Sequence, residues 1–334
     1  MKIMVIHEEI MTTILNYDQI LEQLAQKYSN ETIEQADIPF IRSLLYKEQV
    51  ISLLEDILSN SSLLQTISNR SYTHALGFDK IVLMDLSKDL PIKGHKAQLR
   101  LHIWDPEKTG ALPIVEALHE HSFDFVSTVL SGHLENQQFT FAPLNEDQQS
   151  LLNKLETVIS TLNEEQLEFL NEQIEIIEAV KLAQLGSQQL YAMNLLDQYN
   201  IEAVKELTGL SDQEIFDLTA IEGHYVSDRI TGERKAYKHI LKQYVSIVPH
   251  KVLSLNKGDY YFHPYQLPHR LYYDNTILNS TILLTTPVKD NPEGGSLQRP
   301  TYVQHEEQAY DKIAFKEDTL KVALINYLQY LKAN

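Results

Sequence analysis

The sequence predicts a mainly β protein with helical additions. Three textures along the chain predict it. Short β-prone segments fill residues 67–142 and again 223–290, an acidic helical stretch lies between them at 143–222, and amphipathic helices stand near both ends. The chain has 334 residues, 43% hydrophobic and 22% charged, enough for one large domain with additions or for two domains.

Residues 1–66 read as a helical N-terminal region. In "NYDQILEQLAQKYS", Ile20, Leu21, Leu24 and Tyr28 repeat at helical spacing behind Asn16 as cap, and "KEQVISLLEDILSNSS" continues the pattern until an Asn/Ser cluster stops it. From 67 to 142, "KIVLMDL", "QLRLHIW", "FDFVSTVLSG" and "LENQQFTF" read as consecutive antiparallel strands. From 143 to 222 the period is helical, with Leu151, Leu155, Val158 and Leu162 on one face. Gly209 is a helix stop there, and "SDQE" at residues 211–214 is a capping box. Strands resume from 223 to 290 with "KQYVSIV", "HKVLSL", "DYYFH", "HRLYYD" and "ILNSTILLTT". The tail, 291–334, ends in the amphipathic "EDTLKVALINYLQYLKAN".

Formal net charge is −18, from 28 Lys+Arg against 46 Asp+Glu, a field that repels phosphate backbones and anionic lipid. No nucleic-acid or membrane partner is therefore expected. The stretch 143–222 carries sixteen acids against three lysines and accounts for most of the excess. It reads as a solvated helical face, or alternatively as a lid or an arm for a homodimer. The absence of cysteine excludes disulfides, thiolate ligands and cysteine nucleophiles. With no signal-peptide pattern and no apolar run of membrane-spanning length, a cytoplasmic location is expected.

The chemistry lies in the histidines. In "LHEHSFDFVSTVLSGH", His119 and His121 are two apart in a β-prone run, so both imidazoles face one way, continued by Phe123 and Phe125, while Glu120, Ser122 and Asp124 face the other. Such a pair can share a metal, although thirteen histidines will sometimes fall as H-x-H by chance. Further on, "GDYYFHPYQLPHRLYYDN" reads as a Gly turn, a strand, a Pro-rich turn and a second strand opened by His269.

Together these segments resemble the two motifs of the cupin superfamily, over roughly 67–142 and 223–290. His119, His121 and Gly132 match the first motif. Gly258, Pro264 and His269 match the second, with Gln266 in place of its second glycine. The resemblance implies a double-stranded β-helix, a jelly-roll barrel, with His119, His121 and His269 as metal ligands. Most cupins add a glutamate after three or four intervening residues beyond the second histidine. Here those positions hold Phe125 and Val126, and Asp124 has the wrong parity. Three neutral histidines without a carboxylate look like the thiol dioxygenases, of which cysteine dioxygenase is the best-known type. "SYTHALGF" at residues 71–78 and "LRLHIW" at 99–104 extend that likeness. The arginine that holds the family's substrate carboxylate falls on His74 here, which puts an amino-acid thiol substrate in doubt.

The resemblance thus implies a mononuclear non-haem Fe(II) oxygenase, with Zn, Ni or Mn as alternatives in isolated protein, acting with O2 on a small molecule. Two alternatives stay open: a redox-inert Zn or Mn isomerase or hydrolase, and a non-catalytic cupin that binds a small ligand. His74 takes a substrate-binding place by the resemblance, and Arg100 is the obvious cation for an anionic group. The bland reading puts Arg100 and its neighbour His102 in solvent on the outer face of the sheet. Tyr273 is in step with His269 and is the tyrosine singled out for catalysis. His133 reads as a surface residue, and His263, next to Pro264, as a turn residue or a support for the ligands.

Overall fold

In the strand Gln98–Trp104, Leu99, Leu101 and Ile103 enter an aliphatic core, while Arg100, His102 and Trp104 point to the opposite face among aromatic rings. That period of two sets the layering of the whole molecule. The computed structural model describes residues 14–28, 33–74, 78–89, 97–109, 114–115, 118–183, 199–229, 237–274, 276–286, 295–298 and 313–334.

Thirteen strands are described: β1 (Tyr72–Thr73), β2 (Asp79–Asp85), β3 (Gln98–Trp104), β4 (Ile114–Val115), β5 (Phe125–Ser131), β6 (His133–Ala142), β7 (Ile221–Arg229), β8 (Tyr237–Asn256), β9 (Tyr260–His263), β10 (His269–Tyr273), β11 (Asn279–Thr285), β12 (Gly295–Gln298) and β13 (Ile313–Ala314). They form two antiparallel sheets. One has the order β13-β1-β2-β3-β11-β5-β9, the other β12-β7-β8-β6-β10-β4. A single apolar cluster takes Trp104, Phe125 and Leu283 from the first sheet and Leu134, Leu271 and Tyr273 from the second, so the two inner faces pack on each other. Neighbours in a sheet come from both halves of the sequence: β11 lies between β3 and β5, and β10 pairs with β6.

The outer face of the first sheet is covered by helices. Tyr17–Tyr28, Ile38–Leu44, Lys47–Ser59 and Ser61–Ser68 share one core with Leu99, Leu101, Val126 and Ile282 of the sheet and with Leu320, Leu324 and Leu331 of the helix Glu317–Ala333. Asn16 caps the first helix, its Oδ1 accepting from the Gln19 amide at 2.9 Å.

Helices also follow β6: Glu146–Ile159, Glu164–Ala183, Ile201–Thr208 and Asp212–Leu218. They hold a core of their own, with Leu155, Leu170, Ile174, Val204 and Ile215. Capping boxes start the first and last of these helices at Asn145 and Ser211, and Gly209 ends the third at φ +65°, where glycine has no Cβ to clash. Because helices cover more of the described residues than strands do, the chain is mixed α and β rather than mainly β. Among the described residues no helix is long and apolar enough to cross a membrane.

Two local readings of the sequence differ from the structure. "KQYVSIV" and "HKVLSL" form one long strand, β8, across Pro249; the register shift opposite Gln138 and Phe139 lets the ladder pass it. The run through His119 is not one continuous strand either. His119 makes a single antiparallel bridge to His269, the chain bends at Ser122 and Phe123, and the β5 ladder begins at Phe125.

Candidate metal centre

The bridge at His119 builds the site. Its N–H donates to the His269 carbonyl at 3.0 Å, and the His269 N–H donates back at 2.8 Å. Two imidazoles are therefore fixed on one face of the second sheet. His121 joins them from two residues along, its carbonyl accepting from the Gln266 N–H at 3.1 Å. One ring nitrogen from each of the three histidines lies within 4.8 Å of the other two. Ring centroids are 4.6 to 5.0 Å apart. His269 is buried; His119 and His121 are partly open.

The donor set fits a metal ion. His269 Nε2 and His121 Nε2 are 3.0 Å apart. Two nitrogens each ~2.1 Å from one ion stand ~3.0 Å apart at a right angle and ~3.4 Å apart at the tetrahedral angle. Asn136 Oδ1 accepts from His269 Nδ1 at 3.1 Å, which fixes the tautomer and leaves Nε2 as the lone-pair donor. Burial, and then the neighbouring imidazoles, hold His121 and His269 well below the usual histidine range, hence neutral. Neutral imidazole is the form that ligates.

No carboxylate joins the three among the described residues. Phe125 occupies the place where a fourth ligand is usual, its ring centroid 5.2 Å from His121 and 6.1 Å from His269. Asp124 faces away and braces the turn after β9, its Oδ1 accepting from the Tyr265 N–H at 2.7 Å. His263 is fully buried, stacks on Phe125 at 4.8 Å and lies 4.0 Å from the His269 ring. Its Nε2 donates to the Leu267 carbonyl at 3.0 Å, and burial pushes it down to about 3. It supports the ligands and lies outside their cluster.

The turns carry the motif spacing. Gly132 has φ +78°, and a Cβ there would fall 2.0 Å from Asn279 Oδ1, the atom that accepts from the His133 N–H. Gly258 has φ +90°. Gln266, standing where the second motif has glycine, takes φ +56°, the only left-handed non-glycine among the described residues.

Arg100 lies on the inner face. Its guanidinium is 4.8 Å over the Phe123 ring, and Phe123 stacks on His121 at 4.9 Å. Arg100 Nε donates to Gln98 Oε1 at 2.9 Å, and Gln98 Nε2 donates to Asp85, so a chain from β2 aims the guanidinium. Burial lowers Arg100 to about 10, still a full cation at neutral pH. His74 stacks on Phe78 at 4.5 Å, and Phe78 in turn packs against His102 and Trp104. Tyr273 is fully buried against Trp104, four residues along β10 from His269. His133 faces out and pairs with Asn256.

Sequence reasoning missed the pairs behind the site. Glu120, between the first two histidines, pairs with His224 at 3.1 Å, and Arg270, next to His269, pairs with Glu178 at 2.9 Å. Strand parity placed Glu120 on the reverse face but named no partner. It also missed Asn136, which parity along "LENQQF" puts on the inner face beside His269.

No protein-family model matches the chain, and no curated protein matches it. Among solved structures, the 7S globulin of Momordica charantia is similar at 10% identity and a TM-score of 0.29, over 79% of this chain and 44% of that one. The chain thus spans less than half of that protein's length. At that score the likeness carries no weight, and fold and chemistry rest on the chain's own residues. Those residues make two facing antiparallel sheets and bring together three histidines able to hold one metal ion.

Proposed function

We propose that the protein is a mononuclear non-haem Fe(II) oxygenase of the three-histidine cupin type, acting with O2 on a small molecule. The observation that carries this reading is the composition of the cluster: His119, His121 and His269 within 4.8 Å, with Phe125 where a carboxylate is usual. Further support for a double-stranded β-helix comes from the facing sheets and from the left-handed turn at Gln266, which follows the cupin glycine pattern in its backbone although not in its side chain.

His119, His121 and His269 would hold the ion; bound there, Fe(II) would supply redox chemistry with O2. Three neutral donors leave its charge uncompensated, so the site favours an anionic substrate group. Arg100 offers such a group a cation braced by Gln98. Phe123 and Phe125 keep water from the inner side of the ligands. Asn136 holds the His269 proton on Nδ1 throughout. His74, stacked on Phe78 beside His102, and Tyr273, packed on Trp104, belong to the aromatic layer that Arg100 also faces, and would contact the substrate from there.

The test is reconstitution of metal-free protein with Fe(II) or Zn(II), screened for O2 uptake against small carboxylates and thiols. Uptake with Fe(II) alone is expected, since zinc has no accessible redox step. Turnover by the zinc form under nitrogen would replace the oxygenase with a Lewis-acid enzyme.

A further inference from the structure

We infer that the acidic helical insertion and the strand β7 that follows it position the metal ligands from behind, through the buried Arg270–Glu178 ion pair and the Glu120–His224 contact; the inference rests on the metal reading above. Each ligand segment carries a charged residue on the face opposite its histidines. Between His119 and His121 stands Glu120, whose Oε1 lies 3.1 Å from His224 Nε2, with side chains 8% and 18% exposed. Next to His269 stands Arg270, whose guanidinium lies 2.9 Å from Glu178 Oε1, with side chains 5% and 7% exposed.

The two partners come from adjacent parts of the chain. Glu178 belongs to the insertion helix Glu164–Ala183, and His224 to β7, by which the chain leaves the insertion. Arg270 is held on two further sides. Its Nε donates to Gln137 Oε1 at 3.0 Å, and its guanidinium lies 5.3 Å over Phe139. His224 in turn packs on Phe141 at 5.2 Å. Both contacts thus lie on the side of the second sheet away from the histidines, beside Phe139 and Phe141.

The lever is short. The Cα of a strand residue is shared geometry for its two neighbours, so a shift at Arg270 moves His269 and a shift at Glu120 moves both first-motif histidines. A buried charge that loses its partner cannot stay in place without cost, so the Arg270–Glu178 pair is held strictly, and the Glu120 carboxylate keeps its hydrogen-bond partner in His224. Outer partners of metal ligands typically set affinity by 10–100-fold when removed. Glu178, Arg270, Glu120 and His224 act at one remove from that, as positioning residues. The insertion's core takes in Ile221 of β7 and packs on Tyr244 of β8, which seats it on the second sheet.

The experiment uses the full chain and Co(II) as the probe, with affinity read by chelator competition and coordination by the visible absorption bands. E178A and E120Q should each bind Co(II) about tenfold more weakly, with shifted bands. R270K, which keeps a cation opposite Glu178, should lose less than R270A. K154A, which breaks the exposed Lys154–Glu214 pair inside the insertion, should bind as wild type does. E178Q, of equal volume, replaces E178A should the latter fail to fold. Wild-type affinity and spectrum in folded E178Q and E120Q would overturn the inference. Equal Co(II) binding by wild type and H119A would instead overturn the metal reading itself.

Discussion

The Gln266 backbone N–H donates to the His121 carbonyl at 3.1 Å, tying the turn of the second motif to the middle of the first. That bond needs Gln266 at φ +56°, a region that costs a non-glycine residue roughly 1–2 kcal/mol. Gln266→Gly should be tolerated, since it removes this strain and adds chain entropy of about the same size. Gln266→Val should lower stability by about 2 kcal/mol, read as a shift in the denaturation midpoint, because a β-branched residue resists the conformation further. Equal stability of the two variants would show that the turn is not held left-handed.

Replacing any one of His119, His121 and His269 by Ala should abolish stoichiometric metal binding in equilibrium dialysis. Asn136→Ala should keep the three ligands and weaken binding about 10-fold or more, since the His269 tautomer is no longer fixed. Metal removal should lower the wild-type melting temperature and leave that of His269→Ala unchanged.

Phe125→Glu places a carboxylate among the rings of His121, His263 and His269. Without metal, that buried charge should cost several kcal/mol. With metal, it gains a counter-ion. The variant's melting temperature should therefore rise on metal addition by more than the wild type's does, while O2 uptake by the Fe(II) form falls. A variant as stable as wild type without metal would place position 125 outside the site.

The insertion should be acid-sensitive through Glu214. Hydrogen bonds from the Ser211 backbone and then from Lys154 hold Glu214 at about 2, below the ordinary carboxylate range. A depressed folded-state value means that the stabilisation is complete above the unfolded value, near 4.5, and is lost as pH falls toward about 2. Hydrogen exchange in the helix Asp212–Leu218 should accelerate over that interval, and Glu214→Gln should flatten the dependence. Ser211→Ala removes the other half of the capping box and should cost the helix about 1 kcal/mol at any pH.

The part of this molecule written in local pattern was legible. Period-two alternation in Gln98–Trp104 placed Arg100 and Trp104 on one face, and the spacing from Gly258 to His269 picked out a third histidine that the fold brings to the first two. What depends on partners distant in sequence was not legible. Glu178 looks like one more acid on a solvated helix until Arg270 is seen opposite it, and Glu120 gives no hint of His224. The bend at Ser122 and Phe123 was hidden too, because apolar alternation continues through it and only the loss of ladder partners reveals it.

The order of strands has a consequence for how the chain is made. β5 pairs with β9 and β11, and β3 pairs with β11 on the side away from β2, yet β9 and β11 follow the whole helical insertion. His121 and His269 are 148 residues apart. On a ribosome, the first-motif strands therefore emerge with bare edges and wait, while the insertion, which carries its own apolar centre, can close at once. Edges of that kind are prone to pair with the wrong chain. The first strands are shielded only when β11 arrives between them, and His119 and His121 lack His269 until β10 is made. Under the function proposed above, metal binding would thus mark a chain whose distant halves have already met.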